Sequence, residues 1–432
     1  MLRRKATFKL YPSAGQAERL AQWLRLHTGL YNAALEARID AYRKAGVSVS
    51  YYDQQNALPE IKRARPELSP LGSHALQETL RRLDRAFGAF FRRVKAGQRP
   101  GFPRFKSWRR FPGFCYPDPA GWKMLQHGSR GATLRIGSGK EAMMIRARGR
   151  HRFETFKPND LTLTQRRNAE TGQLDWVASV TLRVAEAACA RERTGDAQVG
   201  VDFGLIDWAN FDDGTTIDNP RWTRHAAGRL ADLQRRRARK RRGSIRYRRL
   251  SRQIQQLHTQ VANSRKDFVH KQTTALAQRC ELVATEALQT SNMSRSARGS
   301  VAAPGRHVKQ KAGLNREILS AGLALTHRML AYKVTETGTR LHVSETRSLK
   351  PSQRCSQCWG VVPKALSQRE HRCGCGCVLP RDQNSARVVL IDAFTPVHSP
   401  GTGEAARGIP LAAHAAKSNS VTRETPTTAV QA

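Results

Sequence analysis

Five of the eight cysteines fall within 23 residues, at Cys355, Cys358, Cys373, Cys375 and Cys377. Thiolates grouped in this way hold a metal, and zinc takes four thiolate or imidazole ligands in a tetrahedron. Cys355-x-x-Cys358 is one knuckle, whose two intervening residues let the backbone turn around the ion. The second half is less regular. Cys373, Cys375 and Cys377 are separated by single residues, and His371 is nearby. The preferred ligand set is Cys355, Cys358, Cys373 and Cys375, with Cys377 as a substitute for Cys373 or Cys375 and His371 still in play. Four thiolates leave no open coordination position, so the predicted zinc is structural. The plainer reading, buried cysteines grouped by coincidence, fits poorly with only three elsewhere: Cys115, Cys189 and Cys280.

Acids supply the second candidate chemistry. Four residues beyond Cys377 begins Arg381-Asp382-Gln383-Asn384. Asp202 sits in an apolar segment between Gly200 and Gly204, and Glu286 ends another. A buried carboxylate is costly unless it is paired or metal-bound. Three carboxylates on different elements can converge on two Mg²⁺ ions, which activate a water and stabilise the leaving oxygen in phosphodiester cleavage. Singly each is weak, and Asp202 can equally cap a backbone or pair with an arginine.

The elements that must position these residues are partly readable. Ala197–Gly204, Glu281–Glu286 and Arg340–Ser344 read as three strands, with Asp212-Asp213-Gly214 as a hairpin turn. A helix over 383–393 would open at Asp382, and a helical pattern covers 316–335. The polar segment 294–312 is expected to be mobile. Upstream, Ala6–Tyr11 alternates as a strand, and Pro12-Ser13 starts a helix running through Trp23 and Tyr31 toward Ala41. Leu76, Leu80, Leu83, Phe87, Phe90 and Val94 form one helix face, read as core, while Arg81, Arg82, Arg85, Arg92 and Arg93 lie on the other and could face phosphates. Residues 132–184 look β-rich, with a hairpin signal at Glu170-Thr171-Gly172.

Charge narrows the partner. The chain has 75 Lys+Arg against 34 Asp+Glu, a formal net charge of +41. Such an excess repels itself unless a polyanion neutralises it, and nucleic acid is the leading candidate. Arg229–Arg252 holds twelve Lys/Arg and one acid. Its cations Arg235, Arg236, Arg237, Arg239, Lys240, Arg241, Arg242, Arg246, Arg248 and Arg249 are predicted to track a phosphate backbone, on a long helix or a helical hairpin broken at Gly243-Ser244. In 97–110, Phe102, Phe105 and Trp108 interleave with Arg104, Lys106, Arg109 and Arg110. That pattern suits either base stacking or a basic loop pinned by aromatics. Apolar runs fall short of the ~18–20 residues of a membrane span. Met1–Thr7 has no apolar signal core, and singleton cysteines fit a reducing compartment, so a cytoplasmic protein without a membrane partner is expected.

Several motifs occur in a fixed order. They are Gly200-Val-Asp202-Phe-Gly204, Thr285-Glu286-Ala-Leu288 with Asn292-Met293, Ser352-Gln-Arg-Cys355-Ser-Gln-Cys358, and Cys375-Gly-x4-Arg381-Asp382-x-Asn384-x-Ala386. Phe8-Lys9-Leu10-Tyr11-Pro12, Gln16, Tyr31-Asn32, Pro103-Arg104-Phe105-Lys106-Ser107 and Asn263-Ser-Arg265-Lys-Asp267-Phe268 complete the set. Together they resemble the TnpB proteins of insertion sequences, formerly called OrfB-type transposase accessory proteins, and their relatives the compact type V CRISPR effectors. The resemblance covers residues 5–393.

It implies a multidomain α/β plus β-barrel architecture. Residues 1–190 would form a β-barrel wedge with a helical recognition insertion, its helices at about 14–97. Residues 196–393 would form a split RNase H-like (RuvC) nuclease domain, including basic helices at 225–280 and a zinc ribbon at 350–379. Residues 396–432, rich in Pro, Gly, Ser, Thr and Ala, read as a disordered tail. The implied activity is RNA-guided DNA cleavage, with guide RNA from the element's end, target DNA beside a short adjacent motif, structural Zn²⁺ and two catalytic Mg²⁺ on Asp202, Glu286 and Asp382. A nuclease-inactive RNA-guided repressor is the alternative from another class, and it would require loss of an acid. A plain zinc-ribbon binder would leave the acids on two separate strands unexplained. Three departures from the family pattern stand out: Pro380 in place of an aspartate, Trp359 in place of a glycine, and the shortened Cys373-x-Cys375 knuckle.

Overall fold

The structure, a computed structural model, describes residues 1–127, 131–137, 142–149, 156–168, 171–300, 303–365 and 367–394. The chain begins with β1 (Leu2–Tyr11), whose alternation buries Ala6, Phe8 and Leu10. Ser13 then caps α1 (Ala14–Ala45) in a capping box with Gln16, and Gly46 ends it in the left-handed conformation, φ 66°. Short helices α2 (Tyr51–Asn56) and α3 (Leu58–Ala64) lead to α4 (Ser73–Lys95). Next come β2 (Phe114–Tyr116), β3 (Trp122–His127), β4 (Gly131–Ile136), β5 (Met143–Arg148), β6 (Lys157–Arg167) and β7 (Leu174–Val184).

These strands form a seven-stranded sheet in the order β2-β6-β7-β1-β5-β4-β3, with every neighbour antiparallel. β1 pairs with β7 from Leu2 to Lys9 and with β5 only from Lys9 to Tyr11. That stagger curls the sheet around a core of Phe8, Leu134, Ile145, Leu161 and Trp176. Helices α1 and α4 pack against it. Between them His27 is fully buried, its Nδ1 2.7 Å from Thr79 Oγ1 and its ring stacked on Phe114 at 4.8 Å.

The α4 stripe divides in two. Leu76, Leu80 and Leu83 are core, but Phe90 is only half-buried and Val94 is exposed. Their end of the helix packs instead on Phe102, which meets Phe87 at 5.6 Å and Phe90 at 5.3 Å. The opposite face also differs from the expectation. Arg82 donates to the Gly113 carbonyl and lies over Phe111, Arg81 lies over Tyr51, and Arg85 pairs with Glu78. Internal partners thus occupy three of the five arginines that sequence reading left for phosphates.

After α5 (Glu186–Cys189) a second sheet begins. β8 (Ala197–Asp202), β9 (Asp207–Phe211) and β10 (Thr216–Asp218) form an antiparallel meander. The chain then leaves as a helical hairpin, α6 (Trp222–Ala238) and α7 (Ile245–Arg279), zipped by Leu233, Leu250, Ile254 and Leu257. It returns as β11 (Cys280–Glu286), parallel to β8. Helices α8 (Thr290–Met293), α9 (Val308–Ala321) and α10 (Leu323–Thr337) precede β12 (Arg340–Ser344), parallel to β11. The sheet order is β10-β9-β8-β11-β12. The final stretch holds α11 (Thr346–Leu349), the small hairpin β13 (Glu370–Arg372) and β14 (Val378–Pro380), and α12 (Arg381–Asp392).

β11 shows why both faces of this sheet are covered. Val283 packs with Val269, Leu276, Leu330 and Val334 of α7 and α10, while Leu282 and Ala284 pack with Val388, Val389 and Leu390 of α12. Glu336 of α10 joins the two halves of the chain, accepting Arg4 of β1 at 3.2 Å and Arg191 at 2.9 Å.

Of the segment 294–312, expected to be mobile, residues 301 and 302 lie outside the described residues; at its ends α9 starts at Val308, Lys311 donates to the Met293 carbonyl, and Asn315 reaches the Ser294 carbonyl at 3.0 Å. The helical pattern over 316–335 is two helices, because Gly322 breaks it at φ 74°. Glu170 and residues 396–432 lie outside the described residues.

The His27 environment generates a pH prediction. Burial, aided by Arg82, lowers its pKa from 6.5 to about 3. The unfolded chain binds this proton below pH 6.5 and the folded chain does not, so stability is whole above 6.5 and is lost as pH falls toward 3. In His27→Gln the fall in Tm between pH 7 and pH 5 should shrink, leaving the part contributed by His270, His327 and His371, whose pKa values burial also lowers. An unchanged fall in thermal melts would contradict this.

Candidate functional site

β8 and β11 run parallel with Val201 opposite Thr285. The next residues, Asp202 and Glu286, therefore stand side by side at the same end of the sheet. α12 packs on β8 and β11 and carries Asp382 in its first turn. The three acids lie near enough to feel one another's charge, although their oxygens are not gathered within the 4.8 Å of one another that the zinc-site sulfurs are. Asp202 is held well above the ordinary carboxylate range, first by removal from water and then by the charges of Glu286 and Asp382. Burial also raises Glu286, with Asp382 adding to it and Thr346 opposing. Ser385 bonds to Asp202, and Arg381 is the nearby cation that opposes its shift. An all-oxygen cluster of like charges with so little neutralisation suits a hard divalent cation.

The first turns of α12 are fastened on several sides. Gln383 Nε2 and Arg387 Nε donate to the Asp212 carbonyl at 3.3 and 2.8 Å, fixing the β9–β10 turn. Asn384 is fully buried; it accepts from Ser356 N–H at 3.0 Å and donates to the Arg354 carbonyl at 2.7 Å. Sequence reading quoted Gln383, Asn384 and Ala386 as motif residues without giving them a role, and it passed over Ser385 and Arg387. Polar residues in a helix flanking a candidate acid were the available signal.

The sulfurs of Cys355, Cys358, Cys373 and Cys375 all lie within 4.8 Å of one another. Cys355–Cys375 and Cys358–Cys373 are separated by 3.6 and 3.5 Å. A tetrahedron with Zn–S bonds of about 2.3 Å has edges of about 3.8 Å, so this set fits zinc. The backbone N–H of Cys375 is the leading influence that lowers the Cys373 thiol to about 7, while Cys355 and Cys358 are raised to about 11 and 12, as expected when one thiolate of a crowded set takes the charge. Cys377 belongs to a second group, Cys355, His371 and Cys377, whose ligand atoms also lie within 4.8 Å of one another and which shares Cys355 with the first. With His371 it lies on the buried side of Cys355, and Lys364 contacts His371 Nδ1. The departures from the family pattern are accommodated. Trp359 takes the left-handed conformation at φ 64° that a glycine would adopt freely, and Arg354 covers its ring at 5.3 Å. The short second knuckle turns at Gly376, φ 89°, and Pro380 ends β14 directly before α12.

The arginine segment forms the tip of the α6–α7 hairpin. Arg235, Arg236, Arg239, Lys240, Arg241, Arg242, Arg246, Arg248 and Arg249 are exposed, while Arg237 is half-buried over Tyr247 at 5.7 Å. Arg104 is exposed. Lys106 is more constrained: its backbone N–H and C=O both pair with Asn32 at 2.9 Å, and its ammonium lies over Tyr31 at 5.8 Å. The basic loop is thus pinned, and the Tyr31-Asn32 pair does the pinning. Among the described residues no helix is long and apolar enough to cross a membrane.

The family model described as "Probable transposase" (OrfB, IS605 type) matches residues 179–297, and the Cas12f1-like TNB domain matches 325–389. A model described as a helix-turn-helix domain matches 1–46, where the structure has β1 and the single long helix α1. "Putative RNA-guided DNA endonuclease InsQ" of Escherichia coli is 31% identical over 387 residues, covering 89% of this chain and 90% of that protein. A "Putative RNA-guided DNA endonuclease" of Streptomyces pristinaespiralis is 29% identical over 392 residues, covering 90% of this chain and 89% of that protein. Among solved structures, a Cas12f1–sgRNA–target DNA complex matches with TM-score 0.56 at 12% identity, covering 88% of this chain and 83% of that one, which is a likeness of fold. On the strength of the relative matched along nearly its whole length, the chain belongs to the TnpB family of insertion-sequence proteins, the OrfB type.

Proposed function

We propose that the chain is an RNA-guided DNA endonuclease of TnpB type, with a RuvC-like site at Asp202, Glu286 and Asp382. The observation that carries this reading is the approach of three acids from β8, β11 and α12 to one another at one sheet end. The strand order, a meander extended by two parallel strands, supports an RNase H-like nuclease unit over 196–393. The curled antiparallel sheet with its helices supports a wedge and recognition unit over 1–190. The names of the relatives point the same way.

In this reading the three carboxylates hold Mg²⁺, two ions in the family pattern. Such ions supply a nucleophilic water and stabilise charge on the leaving oxygen. The chain's own residues do the positioning. Ser385 orients the Asp202 carboxylate, Thr346 lies beside Glu286, and Gln383 and Arg387 hold the helix bearing Asp382. The exposed cations of the α6–α7 hairpin, with Arg104 and Lys106, contact guide RNA or target DNA backbone, and guide pairing carries sequence information. Zinc on Cys355, Cys358, Cys373 and Cys375 holds the ribbon together. A repressor without cleavage is disfavoured because all three acids are present and adjacent. The match to the Cas12f1-like domain favours one second reading, a compact type V effector. Sequencing the RNA that copurifies separates the two: RNA from the element's end supports TnpB, and repeat-spacer RNA supports the effector.

Two predictions follow from the site. Asp202→Ala should lower Mg²⁺-dependent cleavage of guided DNA more than about a hundredfold while RNA binding stays intact; continued cutting would refute the acid's assignment. Zinc content measured by elemental analysis should be one ion per chain in Cys377→Ser and near zero in Cys375→Ser. The reverse pattern would place Cys377 in the ligand set.

A further inference from the structure

The geometry points to Asn384 as a positioning residue that couples the zinc knuckle to the affinity of the acid site for its cation. This rests on the reading of Asp202, Glu286 and Asp382 as that site. Asn384 lies two residues beyond Asp382 on α12 and has no exposure. Its amide is used on both sides of a ligand cysteine: Ser356 N–H donates to Oδ1 at 3.0 Å, and Nδ2 donates to the Arg354 carbonyl at 2.7 Å. Arg354 and Ser356 are the residues flanking Cys355. One side chain therefore grips the backbone of the first knuckle from the helix that bears the acid.

The grip is stiff because the knuckle is closed on itself. Cys355 N–H bonds to the Gly360 carbonyl at 2.8 Å, Trp359 N–H to the Cys355 carbonyl at 3.0 Å, and Arg354 reaches the Trp359 carbonyl at 2.8 Å. From the other side of the ribbon, Arg381 donates to the carbonyls of Ala365 and Gln368 at 3.0 and 3.2 Å. A buried amide that loses such partners leaves backbone groups unsatisfied, so the register between knuckle and helix is strongly specified. When zinc fixes Cys355, it fixes Asn384, and with it the first turn of α12. Zinc then acts at a distance on Asp382 without touching nucleic acid or the cleaved bond.

Asn384→Leu keeps the volume and removes both hydrogen bonds. In the full chain with its RNA, it should still carry one zinc but lose it to a chelator about fivefold faster. The Mg²⁺ concentration for half-maximal cleavage should rise about tenfold, while the rate at saturating Mg²⁺ stays within about threefold of wild type. The Mg²⁺-induced rise in Tm should shift to the same higher concentration, a readout that needs no cleavage. Cys375→Ser should raise the Mg²⁺ requirement similarly, and combining it with Asn384→Leu should add nothing. A lower Tm with unchanged Mg²⁺ requirement, or additive effects in the double variant, would overturn the coupling. If Asp202→Ala still cleaves, the underlying site reading fails; if that variant is silent and Asn384→Leu has the wild-type Mg²⁺ requirement, only the coupling fails.

Discussion

The nuclease half depends on how closely α12 approaches β8. At Gly200 the approach is so tight that an added Cβ would stand 2.0 Å from the Ala386 carbonyl oxygen and 2.9 Å from Leu390 Cβ. No L-side chain fits there without moving the helix. The absent side chain lets α12 lie directly on the strand, with Val388, Val389 and Leu390 against Leu282 and Ala284. Asp202 is two residues along the strand from that contact, and Asp382 is four residues back along the helix. The two acids come near each other because the backbones between them touch. Gly204 serves the turn that follows, where a Cβ would stand 2.8 Å from the Asp207 carbonyl oxygen.

Around this contact the chain sets charge against charge. A chain with a net charge of +41 brings three carboxylates together at one sheet end. Ser385, Thr346 and the nearby Arg381 offset their mutual repulsion only in part, and Asp202 stays well above the ordinary carboxylate range, as expected of a site built for a cation. Apart from Arg381 and Arg387 on α12, the dense run of cations is placed elsewhere, at the exposed tip of a helical hairpin zipped by Leu233, Leu250, Ile254 and Leu257. Separating the two keeps the arginines from neutralising the acids and leaves them free for phosphates.

Much of this was legible in the sequence. Alternation marked β1, apolar runs marked β8, β11 and β12, and the glycine pair bracketed Asp202. Cysteine spacing gave the ligand set that the sulfur geometry favours. What escaped did so for physical reasons. Arg81, Arg82 and Arg85 look solvent-bound on a helical wheel, but Tyr51, Phe111, Gly113 and Glu78 reach them from distant segments. The stripe ending at Phe90 and Val94 has helical periodicity, yet periodicity cannot say where the core stops. Asn384 reads as an ordinary helix polar residue until the knuckle is folded onto it. Lys106 reads as a free cation until Asn32 is found holding its backbone.

The central claim is that the backbone contact at Gly200 delivers Asp382 to Asp202. Its most direct test is the rate of guided DNA cleavage by Gly200→Ala at saturating Mg²⁺, with zinc content and RNA binding measured on the same sample. A side chain of one carbon should push α12 away, with the ribbon that Asn384 and Arg381 tie to it moving along, and lower the rate by more than about a hundredfold with zinc and RNA retained. Cleavage at the wild-type rate would mean that the acids do not depend on this contact, and the account would be wrong.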